Sequence, residues 1–286
     1  MLKDWIDAAR PRTLPASASP VLVAGAYGWY FDKFQPAVIG ICMLFALLAQ
    51  IASNLANDYF DFKKGIDDEQ RTGPKRAVAS GIISPKAMLT ATLITLCAAC
   101  AVGCSLICYG GWILLPAGVF IALFALAYSA GPYPLSIHGL GDLTVFVFFG
   151  LVAVDLTYYI QAGSVESMVW LGSVAVGLLS VNILLVNNYR DMENDAKAKK
   201  ITTVVIFGRP WAELTYFING IAAVWAASYE KPLMALFFIP YLIIHYFTWK
   251  QMRIRRDFEL NPILGKTARN LLIFSLLLIL SLICLR

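Results

Sequence analysis

The sequence predicts an all-α integral membrane protein with about nine transmembrane helices around a central cavity, forming a single domain over residues 1–286. Of the 286 residues, 59% are apolar and 14% are charged, whereas soluble domains have about 45–50% apolar and about 25% charged residues. Several apolar runs are long enough to cross a hydrocarbon core of about 30 Å as helices. The short alternating segments of a membrane β-barrel are missing, so helices must satisfy the backbone hydrogen bonds in lipid.

Nine apolar runs, separated by charged or Pro- and Gly-containing breaks, indicate the individual spans. They lie near residues 14–31, 36–57, 86–108, 111–130, 141–162, 166–188, 210–229, 232–249 and 266–285. This arrangement places 20 of the 23 Lys and Arg residues on the side of the N-terminus and leaves Lys33, Lys231 and Arg286 on the other. Because basic residues favour the cytoplasmic side of a membrane, we expect a multi-pass protein of the inner (cytoplasmic) membrane with a cytoplasmic N-terminus.

The formal net charge of +5 fits this topology and a membrane-lipid environment, so it does not indicate a nucleic-acid partner. All six cysteines lie within apolar runs, which implies no disulfide framework. Four of them, Cys97, Cys100, Cys104 and Cys108, share one face of a predicted helix. This spacing is compatible with a metal site, although thiols are also small packing groups at helix contacts.

Acidic residues are concentrated in two short stretches, with five of the 18 between residues 58 and 69 and three between 191 and 195. The sequences Asn57-Asp58-Tyr59-Phe60-Asp61 and Asn187-Asn188-Tyr189-Arg190-Asp191 repeat one motif, each at the end of a predicted span. The motifs end the second and the sixth spans, four positions apart in the order of spans, so both motifs face the same side of the membrane. Membrane folds built from repeats tend to place their sites at the repeat interface, and we therefore expect the two motifs to meet across a cavity.

The spacing within each cluster predicts a metal site. Asn57 and Asp61 are four residues apart, as are Asp191 and Asp195, and this spacing places side chains on one face of a helix. Oxygen ligands without His or Cys suit Mg²⁺, which binds through one or two carboxylates together with water and phosphate oxygens. The predicted cofactor is therefore Mg²⁺.

Basic residues follow each acidic cluster, which predicts an anionic ligand carrying more charge than the metal neutralises. They are Arg71, Lys75 and Arg76 after the first cluster and Lys197, Lys199 and Lys200 after the second. The alternative is that these charges simply solvate the loops. Charge runs are usually solvated, and that interpretation is favoured for Lys63, Lys64, Asp68, Glu69 and Glu193.

Several stretches together resemble the UbiA-type intramembrane prenyltransferases, over almost the whole chain. They are Asn54-Leu-Ala-Asn57-Asp58-Tyr-Phe-Asp61-Phe-Lys-Lys-Gly65-Ile-Asp67, Gly73-Pro-Lys-Arg76-Ala-Val-Ala-Ser-Gly81, Asn187-Asn188-Tyr-Arg190-Asp191-Met-Glu-Asn-Asp195, Ala9-Arg10-Pro11-Arg12-Thr13-Leu14-Pro15 and Gly131-Pro-Tyr-Pro-Leu-Ser-Ile-His-Gly-Leu-Gly-Asp142. Within that superfamily the chain is most similar to the group that prenylates 1,4-dihydroxy-2-naphthoate in menaquinone synthesis.

This resemblance implies Mg²⁺-dependent transfer of a polyprenyl group from polyprenyl diphosphate to 1,4-dihydroxy-2-naphthoate, with decarboxylation to demethylmenaquinol and release of diphosphate. It implies Asp61, Asp67, Asp191 and Asp195 as catalytic residues and, together with Asn57, as metal ligands. The candidate substrate-binding residues are Asn54, Asn57, Asp58, Lys63, Arg71, Arg76, Tyr128, Asn188, Arg190, Lys199 and Lys200. Gly65 stands where the superfamily often has an acid, a departure that leaves the role of Asp67 open, and the second motif leaves open which lysine meets phosphate.

Some alternatives stay open at this level. One alternative is a prenyltransferase that acts on another aromatic acceptor, such as 4-hydroxybenzoate or homogentisate. Another is an ion-coupled transporter, since repeats and intramembrane charge are also typical of transporters. Asp155, within the fifth span, is either functional or a neutral hydrogen-bonding group between helices. The aromatic residues near the expected cavity either shelter a substrate cation or pack, and these are Tyr128, Phe146, Phe149 and Tyr158. Prenyl chain length and oligomeric state are not predicted.

Overall fold

A computed structural model describes residues 2–65, 76–129 and 131–286, without the side chains of Arg12 and Ser129. The described chain is helical almost throughout. Its ten main helices are α1 (Leu2–Ala9), α2 (Leu14–Tyr30), α3 (Pro36–Lys63), α4 (Pro85–Gly110), α5 (Leu114–Ser129), α6 (Gly141–Ala162), α7 (Ser167–Lys197), α8 (Thr203–Ser228), α9 (Pro232–Ile254) and α10 (Asn261–Cys284).

The nine predicted spans correspond in order to α2–α10, which confirms the all-α membrane fold for the described residues. Six of these helices, α3, α4, α6, α7, α9 and α10, are long and apolar enough by themselves to cross a membrane, and α5 is a shorter apolar helix. In α7, 67% of the most apolar window is buried, compared with 17% in α4. Helix α7 therefore lies at the centre of the bundle and α4 at its periphery.

Two predicted helix boundaries were wrong, and both helices are longer than their apolar runs. Helix α3 continues to Lys63 and α7 to Lys197, so both acidic motifs are helical and not part of loops. The backbone of Gly208 is not helical, so the longer part of helix α8 begins close to the predicted residue 210. One preceding turn begins at Thr203, where the side chain of Thr202 accepts a hydrogen bond from the backbone N–H of Val205. Helices extend beyond the hydrocarbon wherever charged residues retain their helical backbone bonds, which an apolar run cannot reveal.

Helices α6 and α7 meet at glycines. A Cβ atom built on Gly150 would lie 2.6 Å from the Cα atom of Gly177, which is closer than any side chain tolerates. Small residues allow this backbone contact between membrane helices. The middle of α6, Phe146–Leu156, is a π-helix, a form that is rare and occurs mostly in short pieces.

Polar side chains connect the helices inside the apolar bundle. The amide of Asn182 in α7 donates to the backbone oxygen of Tyr216 in α8 at 3.0 Å, and Asn219 donates to the side-chain oxygen of Asn182 at 3.0 Å. Asp155 in α6 accepts a hydrogen bond of 3.1 Å from the hydroxyl of Ser173 in α7. This contact agrees with the interpretation of Asp155 as a hydrogen-bonding group between helices.

All six cysteines are free thiols. The four thiols of α4 are exposed on the outside of the bundle, and no three metal-binding side chains come together around them in the described part of the chain. This placement supports a packing or lipid-facing role for the cysteine face.

Candidate functional site

A polar cavity of about 380 Å³ lies where α3 and α7 end. Helix α3 contributes Asn57 and Asp61 to its wall, and α7 contributes Asn188, Asp191 and Asp195. The prediction that the two repeated motifs share one cavity is therefore confirmed. We call this end of the bundle, which also carries the basic segments after each motif, the basic end.

Two basic side chains follow the acidic clusters into the cavity. Arg76 places Nη2 at 3.8 Å from Oδ2 of Asp61, and Lys200 places Nζ at 3.2 Å from Oδ1 of Asp195. Both basic residues also line the cavity. The site thus holds cations beside its carboxylates, an arrangement that suits an anion bound together with a metal.

Arg190 lies behind the cavity wall. Its side chain is only 2% exposed, and it donates two hydrogen bonds of 2.8 and 2.6 Å to the two carboxylate oxygens of Asp191. It also donates to the side-chain oxygens of Asn187 and Asn261, each at 2.9 Å. Arg190 does not line the cavity, so the structure places it as a support for Asp191 and not at the substrate surface.

Asn188 presents an oxygen that the protein itself leaves unused. The residue lines the cavity and is 4% exposed, and within the described residues Oδ1 has no hydrogen-bond partner. A buried amide oxygen without a donor is costly. Its position beside two carboxylates therefore marks a place for a cation or for a donor on a ligand.

Three further candidate residues that the structure describes do not line the polar cavity. The carboxylate of Asp58 is buried and accepts the backbone N–H groups of Ala77 and Val78, at 3.1 and 3.2 Å. Lys63 and Lys199 are exposed and do not line the cavity. Asp58 therefore holds the loop after α3, whereas Asp61, three residues later in the sequence, faces the cavity.

Asn54 supports the N-terminal segment. Its amide donates to the backbone oxygen of Ala9 at 2.9 Å and to the hydroxyl of Thr13 at 3.1 Å, while Arg10 donates to the backbone oxygen of Asn54. Arg10 and Thr13 themselves line the polar cavity. Asn54 therefore positions a wall of the site. Two further candidates, Asp67 and Arg71, lie outside the described residues.

The structure also brings residues into the cavity that the sequence did not single out. They are Arg10, Thr13, Gln50, Asp142, Asn194, Thr202 and Thr203. Asn194 follows Asp191 by three residues on the same helix face, so helical spacing was a usable signal. Asp142 accepts a hydrogen bond from the hydroxyl of Thr203, 61 residues away, and no sequence spacing reveals that pair.

The segment between α5 and α6 closes one edge of the site. The backbone N–H of Ile201 donates to the oxygen of Ile137 at 3.0 Å, and the ring of His138 donates through Nδ1 to the oxygen of Pro134 at 2.8 Å. His138 also stacks on Tyr133. These contacts make His138 a structural residue of the loop, and they hold Lys200 and Thr202 against the cavity.

An apolar cavity of about 290 Å³ continues from the polar one into the membrane. Five residues line both cavities, namely Gln50, Asn57, Tyr128, Val145 and Phe149. We call this second space the apolar extension. Tyr128 and Phe149 thus lie at the junction, whereas Phe146 packs on Gly177 and Tyr158 is buried in the core.

The combined space suits a molecule with an anionic head and an apolar tail. Oxygen donors and cations surround the head, and aliphatic and aromatic side chains surround the tail. Among the described residues, no three His, Cys, Asp or Glu side chains form a preformed metal centre. A divalent ion would therefore take some of its ligands from water or from the bound anion.

The chain is similar to known proteins over most of its length. A sequence model of the UbiA prenyltransferase family matches residues 17–264. The 1,4-dihydroxy-2-naphthoate octaprenyltransferase of Haemophilus influenzae is 39% identical over 72% of this chain and 70% of that protein. The Escherichia coli protein of the same name is 32% identical over 97% of this chain and 94% of its own.

The solved structure of a UbiA homolog from Archaeoglobus fulgidus bound to GPP and Mg²⁺ has the same fold. Its TM-score is 0.68, with 16% sequence identity, and the match covers 96% of this chain and 99% of that one. At this identity the likeness concerns the arrangement of the helices.

We expect Asp58→Ala to lower the thermal stability of the protein in detergent more than Asp61→Ala does. The first change leaves the buried N–H groups of Ala77 and Val78 without acceptors, at about 1–3 kcal/mol for each group. The second removes a carboxylate that faces the cavity. Thermal unfolding of both variants measures the difference. If Asp58→Ala keeps the full midpoint and only weakens ligand binding, then Asp58 is a ligand residue and not a loop anchor.

Proposed function

The chain belongs to the UbiA prenyltransferase family, and from this premise we propose that it transfers a polyprenyl group from polyprenyl diphosphate to 1,4-dihydroxy-2-naphthoate. The products are demethylmenaquinol, carbon dioxide and diphosphate, which places the reaction in menaquinone biosynthesis. One observation carries the proposal: an acid- and amide-lined cavity with cations is continuous with an apolar extension. The curated relatives named above support the naphthoate as acceptor.

The donor set of the polar cavity fits Mg²⁺. Asn57 and Asp61 would hold it from α3, and Asp191 and Asp195 from α7, with the unused oxygen of Asn188 beside them. Water and phosphate oxygens would complete the shell, as Mg²⁺ prefers. When bound, the metal supplies positive charge that stabilises the leaving diphosphate.

The basic side chains act on the same leaving group. In the structure Arg76 and Lys200 neutralise Asp61 and Asp195. A divalent ion at those carboxylates would leave both cations to face the phosphates, where charge-assisted hydrogen bonds are strongest. Such fixed charges, held before the reaction, lower the barrier to breaking the allylic C–O bond.

The junction between the two cavities is where the prenyl carbon and the acceptor would meet. Tyr128 and Phe149 line both spaces there. Their ring faces can stabilise a developing allylic cation. Their bulk keeps water in the polar cavity from entering the apolar extension. The naphthoate ring would approach from the polar side. Before it is lost as carbon dioxide, the ring carboxylate would lie near Arg10 or Lys197.

We further propose that the protein resides in the inner membrane with the basic end in the cytoplasm. The support is the distribution of Lys and Arg, of which 20 fall on the side of the two motifs. Both water-soluble reaction partners, the naphthoate and the released diphosphate, would then enter and leave on the cytoplasmic side.

We expect Asp61→Asn and Asp191→Asn each to abolish turnover in purified protein supplied with octaprenyl diphosphate, 1,4-dihydroxy-2-naphthoate and Mg²⁺. Losing one metal-ligand charge raises the barrier by several kcal/mol. Mass spectrometry of the lipid product and release of diphosphate report the reaction. Glu259→Gln, an exposed acid outside the cavity, is the matched control and should keep full activity.

Two outcomes of that assay would overturn the proposal. Near-normal activity of either Asp variant at saturating Mg²⁺ would reject the assigned metal site. Product formation with 4-hydroxybenzoate or homogentisate, and none with the naphthoate, would reject the acceptor. Because the assay runs in detergent without an ion gradient, diphosphate release also separates an enzyme from a transporter.

We expect Arg190→Gln to raise the Mg²⁺ concentration needed for half-maximal activity by about 10–100-fold, as for other residues that orient metal ligands. The KM for prenyl diphosphate at saturating Mg²⁺ should change much less. Arg190→Lys should rescue little, because an ammonium cannot bind both carboxylate oxygens in the geometry of a guanidinium. Lys250→Gln serves as the control. A change confined to the KM for prenyl diphosphate would show that Arg190 contacts the substrate.

The topology can be tested with single cysteines in a background without native thiols. We expect Ser164→Cys, in the turn between α6 and α7, to react with a membrane-impermeant maleimide added outside intact cells. Lys250→Cys, at the basic end, should react only after the membrane is opened. The reverse pattern would contradict the proposed orientation.

A further inference from the structure

A third cavity, of about 300 Å³, lies between α3, α4 and α5, and the proposed reaction does not use it. Its lining is almost entirely apolar, with Leu96, Ala99 and Leu114 among its walls. We call it the side cavity. Its walls include Cys100 and Cys104, which are exposed on the outside of the bundle, so the side cavity extends toward the lipid.

The side cavity and the apolar extension share a wall. Eight residues line both spaces, including Phe45, Ile121 and Leu156. The partition is therefore one side chain thick, and its larger side chains, among them Phe45, Ile121 and Leu156, can change rotamer. Among the described residues, no charged side chain lines either space, so an apolar chain crossing from one to the other displaces no ionised group.

Phe45 is the residue on which this partition depends. Its ring packs on α4 at Gly103, where an added Cβ would lie 3.1 Å from the ring. Glycine at this position leaves the ring room to lie against the α4 backbone. A turn of the ring about its side-chain bonds would widen the passage between the two spaces without moving a helix.

The passage at Phe45 is so far from the polar cavity that only a long prenyl chain reaches it. Phe45 precedes Asn57 by twelve residues on α3, which corresponds to about 18 Å along the helix axis. A geranyl chain, with two isoprene units, is shorter than this and would end in the apolar extension. An octaprenyl chain is much longer and needs further apolar space.

We propose that the side cavity binds the distal isoprene units of a long polyprenyl diphosphate, which pass Phe45 and lie along the cysteine face of α4. This inference rests on the proposed function, since the diphosphate head must occupy the polar cavity. The continuity of the two apolar spaces favours the substrate tail over an acyl chain of a membrane lipid, which would enter from outside and has no reason to depend on the diphosphate.

The cysteines of α4 provide a direct test, because two line the side cavity and two do not. Cys100 and Cys104 belong to its wall, whereas Cys97 and Cys108 are exposed thiols of the same helix outside it. The native protein in detergent is treated with N-ethylmaleimide in the presence of Mg²⁺ and either geranyl or octaprenyl diphosphate. Peptide mass spectrometry gives the labelling rate at each thiol.

With octaprenyl diphosphate at about ten times its Kd, most sites are filled, and labelling of Cys100 and Cys104 should slow about tenfold. Cys97 and Cys108 should label at unchanged rates. Geranyl diphosphate should protect none of the four. Protection by octaprenyl diphosphate should disappear when inorganic diphosphate occupies the polar cavity in excess.

Other outcomes reject the proposal. Equal labelling of all four thiols with and without octaprenyl diphosphate would show that the tail does not enter the side cavity. Protection by added phospholipid that is insensitive to inorganic diphosphate would assign the cavity to a lipid acyl chain. If both diphosphates are turned over and neither protects, the side-cavity proposal fails and the proposed function stands; loss of turnover with both contradicts the proposed function instead.

A pair of variants extends the test to selectivity. Cys100→Phe places bulk in the side cavity, and Cys97→Phe places the same bulk on the neighbouring surface. In competition between farnesyl and octaprenyl diphosphate, Cys100→Phe should shift the products toward the short chain, and Cys97→Phe should not. Equal product ratios in the two variants would contradict the proposal, and the activity with farnesyl diphosphate shows that both variants are folded.

Discussion

The structure depends on the neutralisation of buried carboxylates by basic side chains at the boundary of the membrane. Asp191 and Asp195 are only 7% and 4% exposed, and a buried carboxylate without a partner costs several kcal/mol. A basic side chain therefore lies within 4 Å of each of these two acids, and of Asp61 on the other motif. The basic segments after α3 and α7 are thus part of the site as well as a topological signal.

This compensation explains the lengths of α3 and α7. Each helix extends beyond its apolar run, and its last turns carry the acids where the following segment can fold back with a cation. Asp58 holds the segment after α3 through two backbone N–H groups, and Thr202 ends the segment after α7 by capping the next helix. The same local geometry therefore presents two charged walls to one cavity.

The sequence predicted the spans and the shared motifs because both depend on local periodicity. Apolar length defines a span, and the spacing of Asp191 and Asp195 fixes their common helix face. The sequence did not predict which residues adjacent to the cavity acids point away from the cavity. Arg190 and Asp191 are adjacent and diverge by about 100° around a helix, and the contact that holds Arg190 away from the cavity includes the distant Asn261 of α10, which no local spacing reveals. The pairing of Asp142 with Thr203 is likewise a tertiary contact.

The glycine contact between α6 and α7 has a mechanical consequence. With the Cα atom of Gly177 in the space where a Cβ of Gly150 would stand, the two backbones are interlocked and slide past each other only by separating. Phe149 is adjacent to this contact on α6, so the junction of the two cavities lies beside a fixed point of the bundle. Helices α3 and α5 make fewer contacts with α6 than α7 does, so the cavity is less firmly closed on the side of α3 and α5, and separation there would leave the contact between α6 and α7 intact.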